Sequence, residues 1–203
     1  EACWAGDKAI ACIASDNHHE NDWYKADVRL IELASGKARV VYRPKHQIGW
    51  LSASPSGQSL ALVASFSSDR QSTTGDLTLG SVADGTAHRV DTQGVDTTFT
   101  AWQSESEVLI AGIRSLDSVL ALCDATTART KDLWSGTETT LGGERYFPFV
   151  SPGAAAGDCA VTLEGFFTPQ SLAVFRGGKM TVVRRMGPEG PASDLNALGR
   201  AEP

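Results

Sequence analysis

Four stretches of this 203-residue chain carry the side chains with the most chemical reach. His18, His19, Glu20 and Asp22 crowd into "NHHEND", imidazoles and carboxylates of the kind that ligate a metal. Adjacent histidines in one loop rarely converge, so the pattern reads as a solvated polar loop, with no metal and no cofactor expected. Arg114, Arg145 and Glu164 could meet the charged terminus of a peptide by charge-assisted hydrogen bonds, or could form ion pairs between neighbouring structural units. Phe166 and Phe167 are consecutive. In a strand they point to opposite sides, and in a loop both are exposed, where they suit an apolar substrate side chain or another domain. No catalytic residue is expected. Only Gly153 and Gly157 stand four apart, with Ala155 where a nucleophile elbow requires serine, and none of His18, His19, His46 and His88 has a recognisable nucleophile partner. No GxGxxG or P-loop pattern occurs, so the chain alone should hydrolyse nothing.

What would position these groups is visible in "SPSGQSLALVA", residues 54 to 64. Pro55 presets the φ of a tight turn, and Gly57 supplies the left-handed conformation that a Cβ resists. The apolar run that follows is too short for a stable helix and apolar on both sides, as a strand sandwiched between layers is. The unit recurs. Trp4, Ala53, Trp102 and Val150 hold the matching position, at spacings of 49, 49 and 48. Each unit continues with a polar loop, a second strand, a small turn ("SGK", "DGT", "GGK" in three of four) and a last strand. Four strands in a period near 49 predict a β-propeller blade, longer than a solenoid coil. The chain is therefore all-β, a β-propeller fragment of four consecutive four-stranded antiparallel blades. The blades span about 1–46, 47–97, 98–146 and 147–186, followed by a Pro/Gly-punctuated linker at 187–203. Trp4 and Trp102 are expected in the blade-to-blade core.

Composition agrees: 20 Gly and 8 Pro punctuate a 41% hydrophobic sequence roughly every ten residues, as turns between short strands do. The net charge of −6, without a Lys/Arg cluster, argues against nucleic acid and membrane surfaces as partners. No apolar run reaches the ~18 residues of a membrane span, and the first residues lack the basic start and apolar block of a signal peptide. Because Glu1 falls inside the first inner strand, the chain reads as part of a larger propeller, with further blades as partners. Cys3 and Cys12 lie on two arms of one hairpin, and Cys123 and Cys159 in different blades, without CxxC spacing. They read as free thiols, which favours a reducing, cytoplasmic compartment, with the periplasm as the alternative.

The repeat "SPSGQSLALVA…GDLTLGSVADGTAHRV" and the ending "FFTPQSLAVFRGGKMTVVRRM…SDLNALGRAEP" resemble the propellers that cap prolyl oligopeptidase family serine peptidases, in particular the acylaminoacyl and dipeptidyl peptidase-like bacterial branch. Periplasmic Tol-type propellers share the Ser-Pro-x-Gly hairpin, which keeps a scaffold that binds protein partners as the second reading. The resemblance covers nearly the whole chain, and the family's catalytic domain is not in it. It implies a lid that gates peptide or acyl-peptide substrates over an α/β-hydrolase domain of the same protein. The surface facing that domain would comprise the stretches 15–27, 65–75, 112–117, 135–147 and 164–170. These read as the longest loops, and the opposite face as compact turns. Arg114, Arg145, Glu164, Phe166 and Phe167 are the substrate-facing candidates of that surface.

Overall fold

A computed structural model of the chain describes residues 1–65, 74–142 and 147–186. Its strands form four antiparallel sheets in chain order, the expected four consecutive propeller blades. The first holds β1 (Ala2–Ala5), β2 (Ala9–Ala14), β3 (Asp27–Glu32) and β4 (Ala38–Tyr42). The second holds β5 (Gln47–Ala53), β6 (Ser59–Ser65), β7 (Asp76–Ser81) and β8 (Ala87–Arg89). The third holds β9 (Asp96–Trp102), β10 (Glu107–Arg114), β11 (Asp117–Asp124) and β12 (Arg129–Gly136). In the fourth, two short segments, β13 (Thr140–Leu141) and β14 (Ser151–Pro152), both pair with β15 (Cys159–Glu164), followed by β16 (Ser171–Arg176) and β17 (Lys179–Arg185). The fourth sheet thus already includes Thr140, ahead of the boundary expected at 146/147. Among the described residues the one helical element is a short 3-10 helix at Glu20–Lys25. The expected linker at 187–203 lies outside the described residues.

The second and third sheets pack on both faces, which is why their middle strands are apolar on both sides, while the first and fourth each pack on one. The alternation sorts cleanly. Leu60 and Leu62 of β6 pack toward the first blade with Ala11, Val28 and Leu30. Ala61 between them, with Leu77 and Leu79, packs toward the third with Val108, Ile110 and Cys123. The third and fourth blades meet through Leu109, Ala111 and Leu120 against Val161, Ala173 and Phe175. Full burial of one such Leu or Phe contributes about 1.5–3 kcal/mol, so three interblade cores are the main stabilising term. The outermost strands are polar instead: β8 is exposed throughout, and β12 and β17 carry Arg129, Lys131, Lys179, Arg184 and Arg185. Charges there discourage pairing with a foreign strand.

Trp102 packs against the core between the second and third blades, as expected. Trp4 does not follow: it is 66% exposed. The reason lies in the repeat. Ala53, Trp102 and Val150, its equivalents, each pack against the core shared with the preceding blade, and Trp4 stands on the first blade, whose corresponding face is uncovered. Ile10 and Ile31 continue the same cross-strand row from Trp4.

The hairpins at one end are stitched from blade to blade. Gly57 adopts φ +74°, and a Cβ there would come within 2.6 Å of the Ala5 carbonyl oxygen and 2.8 Å of the Gly6 nitrogen. The Ser56 N–H and hydroxyl both donate to the Glu105 carboxylate, at 2.6 and 2.7 Å. Gln103 spans to the 153–158 turn: its Nε2 donates to the carbonyls of Gly153, Ala155 and Asp158, and its Oε1 accepts from the Gly157 N–H at 2.7 Å. The "SPSG" turn and its repeats therefore reverse the chain and also hold the arc of blades.

Candidate functional site

The connections β2–β3, β10–β11 and β15–β16 emerge at the end opposite the stitched hairpins, together with the crossings from blade to blade. Three of their residues are large, apolar and exposed: Tyr24 at 40%, Leu116 at 65% and Phe166 at 67%. The stretch 112–117 is not a long loop. β10 and β11 pair up to Arg114 and Asp117, leaving a two-residue turn with Ser115 at φ +55°. Sequence spacing gave no sign of this, because non-glycine residues rarely enter the left-handed region.

Arg114 ends β10, and its fork is fully used. Both terminal nitrogens donate to Asp132, at 2.6 and 3.0 Å, and Nε donates to the Gln93 carbonyl at 3.1 Å. The bond to Asp132 holds the guanidinium firmly protonated. Glu164 ends β15, where its backbone pairs with Thr140 and its Oε2 accepts from Gln170 Nε2 at 3.3 Å. Phe166 and Phe167 lie in the loop beyond, edge to face with ring centres 4.9 Å apart. Glu164, Phe166 and Phe167 are thus gathered in one loop of the fourth blade, while Arg114 is held within the third by its own partners. Arg145 lies outside the described residues.

The "NHHEND" loop leads into the 3-10 helix. His18 and His19 stack on each other with ring centres 4.7 Å apart, and among the described residues no three His, Cys, Asp or Glu side chains converge as metal ligands. Beneath this loop is a cavity of about 370 Å³, lined by Ile13, Ala14, Ala26 and Ile48 with Trp23, and rimmed by Asn17, His18, His19 and Glu1. The Ala26 N–H turns back to the Trp23 carbonyl at 3.3 Å, which ends the 3-10 helix, and both residues line the cavity.

One cluster escaped the sequence reading. Trp50, Phe99 and Phe149 come from the second, third and fourth blades and pack mutually, with ring centres 4.8–5.7 Å apart. Trp50 also donates its indole N–H to the Thr100 carbonyl at 2.8 Å. Their spacings of 49 and 50 residues repeat the blade period, and that was the available signal. The four cysteines are free, and burial pushes the thiols of Cys3, Cys123 and Cys159 up to about 11.

No protein-family model and no curated protein matches the chain. Among solved structures it is similar to TolB from Acinetobacter baumannii, with 16% identity and a TM-score of 0.64 over 91% of this chain and 43% of that one. It is also similar to the β-propeller domain of the trilobed protease from Pyrococcus furiosus (9% identity, TM-score 0.57, 88% and 54% covered) and to Pyrococcus horikoshii acylaminoacyl peptidase (10% identity, TM-score 0.58, 90% and 31% covered). The chain spans about half or less of the length of each. At these identities the likeness is one of fold: the architecture is that of the β-propellers in TolB and in peptidases of the prolyl oligopeptidase family.

Proposed function

We propose that this chain is a noncatalytic part of a propeller that gates substrate for a serine peptidase of the prolyl oligopeptidase family. The observation that carries the reading is the row of exposed apolar side chains at one end: Tyr24, Leu116 and Phe166 stand at the tips of three blades there, against Leu33 in the hairpins of the opposite end among the described residues. The opposite end is closed by interblade hydrogen bonds. Loops on a rigid scaffold are where binding is placed, and a row of apolar tips suits an apolar domain surface. The partner on that end is an α/β-hydrolase domain of the same protein, with a peptide or acyl-peptide passing between. Such a lid can bind, orient and exclude water, while nucleophile and proton transfer belong to the other domain.

The uncovered sheet faces fit the same reading. Trp4, Ile10 and Ile31 occupy the side that packs on a preceding blade at every later junction, and the outward side of the fourth blade carries Leu172, 39% exposed. Further blades of the same propeller are their partners.

The test uses the intact protein. Phe166→Ser and Leu116→Ser should change KM or the preference between short and long peptides, with kcat within about threefold, because they touch gating and not chemistry. A loss of kcat as deep as that from removing the nucleophile would refute the lid assignment. The likeness to TolB, at a TM-score of 0.64, favours a second reading as a scaffold for protein partners. An intact protein that cleaves no peptide or acyl-peptide and takes no label from a fluorophosphonate probe would reject the peptidase reading in favour of that one.

A further inference from the structure

The 49-residue repeat allows the blade junctions to be compared position by position. At the junction of the second and third blades, Gly75 and Thr97 form an isolated antiparallel bridge, with N–H to carbonyl distances of 3.0 and 2.8 Å in the two directions. At the junction of the third and fourth, the hydroxyl of Thr98 donates to the Pro148 carbonyl at 2.6 Å. Both junctions are thereby closed near the loop end. The residues 49 positions before Gly75 and Thr97 are Ala26 and Ile48, and the one before Thr98 is Gly49. Ala26 and Ile48 do not form the bridge. Ala26 gives its N–H to Trp23, Gly49 sits at a bulge in β5, and all three line the cavity of about 370 Å³.

Near the loop end this junction lacks the bridge between the equivalent described residues, Ala26 and Ile48, although Arg39 of the first blade donates to the Val82 carbonyl of the second at 3.4 Å farther out, and the cavity lining is of two kinds. Its apolar lining is the deeper part: Ala26 and Ile48 are buried, and Ile13, Ala14 and Trp23 are half-buried. Its polar lining is the outer part: Glu1, Asn17, His18 and His19 are exposed, and Ser15 is half-buried. Amide and imidazole groups both donate and accept hydrogen bonds, as a peptide backbone requires. The volume falls at the lower end of the range of about 300–1,000 Å³ typical of ligand pockets. A deeper apolar lining inside a polar rim fits a residue whose side chain is buried and whose backbone stays at the mouth.

We propose that this junction is a receptor for one large apolar or aromatic side chain presented by a peptide, with the side chain on Ile13, Ala26, Ile48 and Trp23 and its backbone at the Asn17–His19 rim. This site does not depend on the peptidase reading, since it requires no domain across the loop end.

The test compares acetyl-Ala-Phe-Ala-amide with acetyl-Ala-Ala-Ala-amide as probes, titrated calorimetrically against the intact protein. The phenylalanine peptide should bind roughly 10- to 100-fold more tightly, the factor expected from burying one ring. Trp23→Ala, which removes the ring, and Ala26→Phe, which fills the deeper part, should each weaken the phenylalanine peptide by about tenfold or more while leaving the alanine peptide unchanged. Each variant is checked for an unaltered far-ultraviolet spectrum, and Trp23→Ala alone decides if Ala26→Phe fails to fold. Equal binding of the two peptides would overturn the proposal. So would no binding of the phenylalanine peptide up to about 5 mM, or Trp23→Ala binding it as wild type does.

Discussion

Gln103 joins the third blade to the fourth through four backbone groups, and its removal should loosen that junction selectively. Its amide has two hydrogens shared among three carbonyl oxygens at 2.9–3.0 Å, and one oxygen accepting from the Gly157 N–H at 2.7 Å. This partner set fixes the orientation of the amide, because the flipped form would turn its oxygen toward three carbonyls. Counted as three hydrogen bonds at roughly 1 kcal/mol each, the side chain is worth about 3 kcal/mol, and water reaching the half-exposed site lowers the cost of Gln103→Ala to about 2 kcal/mol. For a chain of this size that corresponds to a fall in Tm of about 4–8 °C. Thermal unfolding followed by circular dichroism measures it, and hydrogen exchange should show the Gly157 amide losing protection while amides of the first blade keep theirs. Gln103→Glu retains the acceptor for Gly157 but sets a carboxylate against the three carbonyls, so at neutral pH it should be at least as destabilising as alanine. A Tm shift under about 1 °C for Gln103→Ala, or a glutamate variant as stable as wild type, would refute the reasoning.

Hydrogen bonds from the Ser56 hydroxyl, and then its backbone N–H, hold the Glu105 carboxyl below its ordinary value of 4.5, with burial opposing. Its stabilisation is therefore complete above pH 4.5 and lost as pH falls through the lower folded value, so Glu105→Gln should flatten the acid limb of a Tm-against-pH curve. Gly57→Ala combines a φ of +74° with backbone of the neighbouring hairpin in the path of the Cβ, and should cost about 2 kcal/mol or more by urea unfolding. Trp4→Ser should leave the Tm of this chain within about 1 °C, as surface changes do, but lower that of a longer protein whose preceding blade covers Trp4. Cys123 and Cys159, buried and with thiols pushed up to about 11, should react with a disulfide reagent at pH 8 only on unfolding; labelling of both in the native state would contradict the interblade cores.

The period, the strand order and the four-blade arrangement could be read in the sequence because they follow from local physics. Ser-Pro-x-Gly reverses the chain wherever it occurs, and strands apolar on both sides, such as Leu60 to Ala64, have to be sandwiched. The same repeat contained the Trp50, Phe99 and Phe149 series, but periodicity cannot say whether equivalent residues touch. Trp4 and Trp102 hold the same repeat position and end in opposite environments, since burial depends on whether a neighbouring sheet is there. Arg114 shows the limit for charged groups: its type suited a free peptide terminus, whereas Asp132, 18 residues away, meets both ends of its fork because β11 and β12 pair. Likewise the two-residue turn at Ser115 and the cavity over Ala26 and Ile48 came from tertiary geometry alone. Whether two equivalent positions are stitched or left apart is decided by how the connecting loop crosses the junction, and loop paths are fixed by contacts distant in sequence.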